Sequence, residues 1–228
     1  MKNSCDCIIP FYNEGSRPIH VVESLLKVKS ISQIIVVDDG SDENKTYLSL
    51  KRKFPQIIAV RLVNNTGKPN AVKEGLQYVR SSYVLLLDGD VSNIKINELD
   101  NAVSKITKNS DIDMIILRRS KDDTSLSWIR QDIVTNGQRL LRKQDLVSIF
   151  VNYPSGFQLE WATNTFMIKH NKKVFWMPFS ILNLWRHQKY GFRAGCKTYW
   201  EATIANLRVG LPSLIWQTLF FCRNEAPK

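Results

Sequence analysis

Two aspartates one residue apart, Asp88 and Asp90 in VLLLDGDVS (residues 84–92), end an apolar run that reads as a buried strand. Carboxylates this close repel unless a proton or a cation lies between them, and their hard oxygens favour Mg2+ or Mn2+. The glycine between them lets a backbone or a diphosphate approach. The same tripeptide also serves as a plain turn after a strand, so its chemistry depends on what arrives beside it. Asp38 and Asp39 in VVDDGSD can accept from a nucleobase N–H or a ribose hydroxyl, or can cap the next helix, a task Ser41 and Asp42 suit as well. Tyr12, in PFYNE, offers a ring face to a base, and Lys68, in NTGKPNA, offers an ammonium to a phosphate or a base edge. No GxxxxGK[ST] pattern surrounds Lys68 and no GxGxxG follows the first apolar run, which excludes a P-loop and a dinucleotide fingerprint.

These residues share a location in the pattern. Apolar runs at 5–11, 33–38, 57–63 and 83–88 read as strands, each followed by a polar turn and a stretch of helical periodicity: HVVESLLKV, Thr46 to Lys53, and the segment after Pro69. Strands alternating with helices imply parallel βαβ units with helices on both faces of the sheet. Ligands of such sheets sit at the carboxyl ends of the strands, where Tyr12 to Glu14, Asp38 and Asp39, Gly67 and Lys68, and Asp88 and Asp90 all fall. Beyond them ELDNAVSKITK reads as a helix and DMIILRR as a fifth strand. Residues 125–150 read as mostly helical with a turn at Asn136–Gly137, GFQLEWATNTFMIKH as a helix, and KKVFWMPF as a strand. A basic loop, LWRHQKYGFRAG, leads into a last helical stretch that Pro212 kinks.

The 228 residues, 43% of them hydrophobic, suit one α/β domain. The formal net charge of +11 gathers at the C-terminal end, where residues 169–228 carry 10 Lys/Arg against 2 Asp/Glu. A basic surface of this kind meets nucleic acid, anionic lipid or a phosphorylated substrate. Nucleic acid is set aside, because neither a recognition helix nor an aromatic RNA motif accompanies the charge. Cys5, Cys7, Cys196 and Cys222 form no zinc or CxxC spacing and no signal peptide precedes them, so a reduced, cytoplasmic setting is expected, with Cys5 and Cys7 as core residues. LPSLIWQTLFF (211–221) is too short and polar to span a bilayer, but can lie at its surface through Trp216, Phe220 and Phe221 or pack on the core.

IIPFYNE, VVDDGSDE, NNTGKPNAVKEGL and LLLDGDV, in this order and spacing over residues 5–118, resemble the nucleotide-sugar-binding half of family 2 glycosyltransferases with the GT-A fold. NGQRLLRKQDL, GFQLEWATN and RHQKYGFRAG resemble a subgroup of short bacterial members more loosely. The resemblance implies an α/β GT-A fold with a mostly parallel central sheet and helices on both faces. It also implies one domain over 1–228, divided into a nucleotide-sugar half (1–118), an acceptor-side half (119–192) and a C-terminal helical extension (193–228). Carried over by position, Pro10, Tyr12 and Glu14 match the first nucleotide-contacting motif, Asp39 the acid that reads the base with Asp38 beside it, and Lys68 the loop near base and ribose. Asp88 and Asp90 match the acidic pair whose last member holds the metal, Mg2+ or Mn2+, and whose first lies nearer the ribose. The implied activity is metal-dependent transfer of a sugar, with inversion, from a UDP- or GDP-sugar to an acceptor such as a polyprenyl phosphate or glycolipid, at the inner face of the membrane.

Glu160, on the helix after Pro154–Gly156, is the candidate base toward a hydroxyl acceptor, or an orienter of the donor sugar if the acceptor is a phosphate. Arg118 or Arg119, and Arg139, are candidates for acceptor or diphosphate oxygens. His187 is a candidate third metal ligand, with Lys189 beside it. The basic loop departs from the QxxRW motif of processive synthases, which argues against polymer synthesis. Two rival readings are a retaining GT-A transferase making a small glycosylated acid or polyol, and a receiver-like module that senses nucleotide or metal without transfer. YNE ahead of DDGS, and the length, count against the second.

Overall fold

The computed structural model describes residues 4–119, 131–153, 158–182, 217 and 221–227. The expected turn at Pro154–Gly156, the basic loop with His187 and Lys189, and all of the expected last helix except Gln217 and Phe221 lie outside the described residues.

Seven strands form one sheet in the order β3-β2-β1-β4-β6-β5-β7. The first half alternates as expected: β1 (Cys5–Phe11), α1 (Arg17–Leu25), β2 (Ile31–Asp38), α2 (Lys45–Lys53), β3 (Ile58–Arg61), α3 (Lys68–Leu76), β4 (Tyr83–Leu86), α4 (Ile96–Lys108) and β5 (Met114–Arg119). Strands β1 to β4 pair in parallel. Every residue of β1 is buried, as a parallel strand covered on both faces requires. Its alternate side chains serve two cores: Cys5, Cys7, Ile9 and Phe11 meet α1 and α4 on one face, and Ile8 meets α3 on the other. Burial raises the Cys5 and Cys7 thiols well above their ordinary values, so both stay protonated core residues.

The second half departs from the helical reading of residues 125–150. After α5 (Gln131–Val134) the chain forms β6 (Arg139–Arg142), antiparallel to both β4 and β5, before α6 (Lys143–Asn152), α7 (Leu159–Lys169) and β7 (Val174–Phe179). The reason is tertiary. Leu140 packs in one core and Leu141 in the other, so a four-residue segment with no visible alternation slots between two waiting strands. Arg139 pairs with Leu86 and Arg142 with Tyr83, so β6 starts beside the carboxyl end of β4. Helices α5, α6 and α7 cover the same face as α3.

Residues 221–227 return to the sheet. Trp176 of β7 bridges Glu225, and Ala226 donates its N–H to the Trp176 carbonyl at 2.9 Å. Phe221 is buried in the α3-side core, which removes it from the membrane-facing set expected for 211–221. Among the described residues no helix is long and apolar enough to cross a membrane.

One glycine fixes the turn after β2. Gly40 has φ +69°, and a Cβ there would lie 2.6 Å from the Asn65 nitrogen and 2.8 Å from the Asn64 Cα, both backbone atoms that cannot step aside. We expect Gly40→Ala to cost about 2–3 kcal/mol by combining an unfavourable φ with a backbone clash. Urea denaturation checks this; an unshifted midpoint would mean the two loops are not in contact in solution.

Candidate active site

The carboxyl ends of β1, β2, β3 and β4 share one edge of the sheet, and β6, running the other way, brings its first residues to the same edge. The loops there are stitched together before any ligand is considered. Asn13, at φ +53°, donates its side-chain amide to Asp42 Oδ2 at 2.8 Å, and its Oδ1 accepts the Asp42 N–H at 3.0 Å. The first and second turns therefore move as one unit. Tyr12 sits half-buried above them, and Glu14 is tied to Arg17 at 2.6 Å. Pro10 lies buried in β1.

Asp38 and Asp39 both hold protein groups at the strand end. Asp38 is fully buried, accepts the Ser41 N–H at 2.9 Å and pairs with Arg61 at 2.6 Å. Asp39, 3% exposed, accepts from the Thr66 N–H at 2.9 Å, the Thr66 hydroxyl at 3.0 Å and the Gly67 N–H at 2.8 Å. Adjacent residues at a strand end point to opposite faces, so Asp38 braces β3 while Asp39 shapes the loop that carries Lys68. In this structure both carboxylates organise the loops and neither is open to the cleft.

Lys68 starts α3, and its ammonium joins two distant acids. Nζ lies 2.8 Å from Asp88 Oδ1 and 2.7 Å from Glu160 Oε1. Burial opposes the charged form, but the two carboxylates outweigh it and hold the ammonium well above its ordinary value. For Glu160 burial acts to raise the carboxyl, while Lys68 and then Arg139 pull it down, leaving it below 4.5. The candidate base is thus an ionised, weakly basic carboxylate.

Two residues that sequence reasoning passed over complete this cluster. Gln138 donates Nε2 to Asp88 Oδ2 at 2.6 Å, and Gly137 lies against Asp88 and Lys68 so closely that a Cβ would fall 2.5 Å from the ammonium. The Asn-Gly turn was visible; its contact with Asp88 depends on β6 being a strand. Asp90 follows Gly89, whose close approach to Phe11 leaves no room for a Cβ, and is 6% exposed.

Arg139 is a correction. Expected at a diphosphate, it is 1% exposed, beneath α7, and every bond it makes here goes to a carbonyl oxygen: Asn136 O at 2.6 Å, Val134 O at 3.0 Å, Glu160 O at 3.1 Å and Asn164 Oδ1 at 2.6 Å. Burial lowers its pKa to about 10. Arg139 ties the first turn of α7, and with it Glu160, to the β6 turn. Arg118 pairs with the buried Asp132 and stacks its guanidinium 5.0 Å over the Trp176 ring, at the end of β5 on the same edge.

Among the described residues, no group of three or more His, Cys, Asp or Glu side chains is placed to hold a metal ion. The acids converge instead around Lys68.

Residues 6–193 match the sequence pattern of glycosyl transferase family 2. The chain belongs to that family. Among family 2 relatives, the dolichyl-phosphate beta-glucosyltransferase of Saccharomyces cerevisiae is 33% identical over 117 residues, 45% of this chain and 35% of that protein. The undecaprenyl-phosphate 4-deoxy-4-formamido-L-arabinose transferase of Enterobacter sp. is 31% identical over 131 residues, covering 54% of this chain and 38% of that one. The match thus spans well under half the length of these relatives. Glucosyl-3-phosphoglycerate synthase from Mycobacterium tuberculosis, solved with Mn2+ and UDP, superposes with a TM-score of 0.60 at 14% identity, over 78% of this chain and 70% of that one. A Pyrobaculum calidifontis mannosyltransferase solved with GDP-Man and Mn2+ gives 0.60 at 15% identity, over 77% and 55%. These superpositions confirm the GT-A fold expected from the sequence.

Because Lys68 and Arg139 outweigh burial and hold the Glu160 carboxyl below its ordinary range, its ion pair stabilises the fold at neutral pH and is lost as pH falls through the depressed folded value. We expect Glu160→Gln to be less stable than wild type at pH 7 and the gap to close in acid, below the ordinary carboxylate range. Urea titrations at several pH values check this; a gap independent of pH would mean Glu160 is not ion-paired in solution.

Proposed function

We propose that this chain is the nucleotide-sugar-binding, catalytic unit of a metal-dependent glycosyltransferase that uses a UDP- or GDP-sugar and delivers the sugar, with inversion, to a lipid phosphate of the polyprenyl type. One observation carries the reading: in a family 2 fold, Asp88 and Glu160 meet at the carboxyl edge of the sheet, joined by the single ammonium of Lys68, with Asp90 two residues beyond Asp88.

A divalent cation fits the donor set. Mg2+ is commonly held by one or two carboxylates together with substrate phosphates, so Asp90, with Asp88 nearby, suffices without a third acid. When bound, such a cation offsets the charge of the departing nucleoside diphosphate. Lys68 lies within the same cluster as a second positive charge. Tyr12 and the joined turns at Asn13 and Asp42 supply the wall against which a base would rest. The Mn2+ and nucleotide complexes of the fold neighbours are consistent with this site.

Glu160 supports the acceptor class. A general base works best with a pKa near the operating pH, whereas a phosphate oxygen is already an anion. A carboxylate that Lys68 holds below its ordinary range suits the second case. The acceptor phosphate oxygen attacks the anomeric carbon, and the bond from that carbon to the diphosphate oxygen breaks with its electron pair. No proton moves. The named activities of the yeast and Enterobacter relatives, on dolichyl and undecaprenyl phosphate, favour the same acceptor. So does the excess of 10 basic over 2 acidic residues in 169–228, which suits peripheral contact with an anionic membrane surface.

Thermal-shift measurements with UDP and GDP, each with and without Mn2+ or Mg2+, test the donor site, since a ligand at about 100 times its Kd stabilises by roughly 2.7 kcal/mol. We expect a shift that requires both nucleotide and metal and that vanishes in Asp90→Asn, whose unliganded melting temperature stays near that of wild type. A metal-dependent shift retained in that variant would remove Asp90 from the site. With a polyprenyl phosphate as acceptor, Glu160→Gln should lower kcat by about tenfold, against the hundredfold or more that loss of a general base costs. The anomeric configuration of the product separates inversion from retention.

A further inference from the structure

Gln138 is an uncharged side chain, 2% exposed, inside a cluster of charges. Its amide donates to Asp88 Oδ2 at 2.6 Å while Lys68 donates to Oδ1 of the same carboxylate at 2.8 Å. The Gln138 backbone is fixed on both sides: its N–H donates to Asn136 Oδ1 at 2.8 Å, and its carbonyl accepts from the Leu117 N–H at 3.0 Å. Asn136 in turn donates to the Leu117 carbonyl at 2.8 Å and the Asp132 carbonyl at 3.0 Å. The turn therefore fixes the Gln138 backbone, and burial together with the bond to Asp88 holds its amide there. Gly137 closes the remaining side, since a Cβ there would lie 3.1 Å from each Asp88 oxygen.

The consequence for Asp88 is electrostatic. An ammonium on one oxygen and an amide N–H on the other put positive charge where a cation would approach, and they fix the orientation of the carboxylate. Resting on the nucleotide-sugar reading above, with the cation at Asp90 and Asp88 nearer the ribose as the motif implies, we propose that Gln138 is a positioning residue of the donor site: it pins Asp88 as an oriented acceptor for the nucleoside. An amide performs this task where a glutamate cannot, because it donates without adding a fourth carboxylate beside Asp88, Asp90 and Glu160.

This division predicts a split between two affinities. Gln138→Met keeps the length and neutrality of the side chain and removes only the donor, and Gln138→Leu is the shorter control. In the full chain, UDP and GDP are titrated calorimetrically at saturating Mn2+, and Mn2+ is titrated at saturating nucleotide. We expect nucleotide affinity to fall about tenfold, the scale of one hydrogen bond to a charged group, while the half-saturating Mn2+ concentration stays within about twofold of wild type. Gly137→Ala, which presses on the same pair from the neighbouring residue, should give the same split. A general packing defect would weaken both titrations together, and that result in variants with cooperative melting curves overturns the proposal, as does wild-type nucleotide affinity in Gln138→Met. Wild-type protein that takes up neither nucleotide with Mn2+ overturns the donor-site reading itself, and this inference falls with it.

Discussion

One ammonium group holds the two halves of this site together. Lys68, at the start of α3, lies within 2.8 Å of an acid from β4 and an acid from α7, elements separated by more than seventy residues of chain. Without it, Asp88 and Glu160 would be two partly buried carboxylates of like charge, an arrangement that costs several kcal/mol unless one is protonated. The loop geometry upstream exists to aim it. Asp39 gathers the Thr66 and Gly67 N–H groups, and so sets where Lys68 leaves the loop.

The antiparallel strand β6 makes the cluster possible. In a purely parallel sheet, only the ends of preceding strands reach the carboxyl edge. Because β6 runs the other way, its beginning arrives there, placing Gln138 on Asp88 and Arg139 beneath Glu160. Arg139 is a full positive charge surrounded by carbonyl oxygens, a costly arrangement that the four hydrogen bonds and the nearby Glu160 charge offset. Both acids of the site are thus referenced to one short strand.

The first half of the fold was legible in the sequence because each strand is a mostly apolar run and the turns after β1, β2, β3 and β4 carry Gly, Asn or Asp. The second half was not, and β6 shows why. RLLR carries too few residues to display a period, and its neighbours suit a helix, so only the gap between β4 and β5 decides its state. That one misreading hid the contact of Gln138 with Asp88 and offered Arg139 to acceptor or diphosphate oxygens, whereas it is buried among carbonyl oxygens. Residue identity marked Asp38 and Asp39 as polar and strand-terminal, but a strand end has two faces, and which partner waits on each is a tertiary fact: Arg61 for one, the Thr66–Gly67 backbone for the other. Positions carried by an ordered set of motifs therefore located the edge correctly, and the roles within it depended on contacts from β6 and α7.

The charges within the cluster constrain how a donor can enter. Asp88 and Glu160 share the half-buried ammonium of Lys68, Arg139 lies beneath Glu160, and Asp90 follows two residues after Asp88, so the site offers both acids for a cation and an ammonium for a phosphate. On the proposed reading a bare nucleoside diphosphate meets the acids unfavourably and a bare divalent cation meets Lys68 unfavourably, so nucleotide and metal would bind cooperatively, coupled through one charge cluster rather than through a conformational change. On the same reading a diphosphate at Lys68 competes with Glu160 for the same ammonium, so donor binding and the Lys68–Glu160 pair are coupled through that one charge.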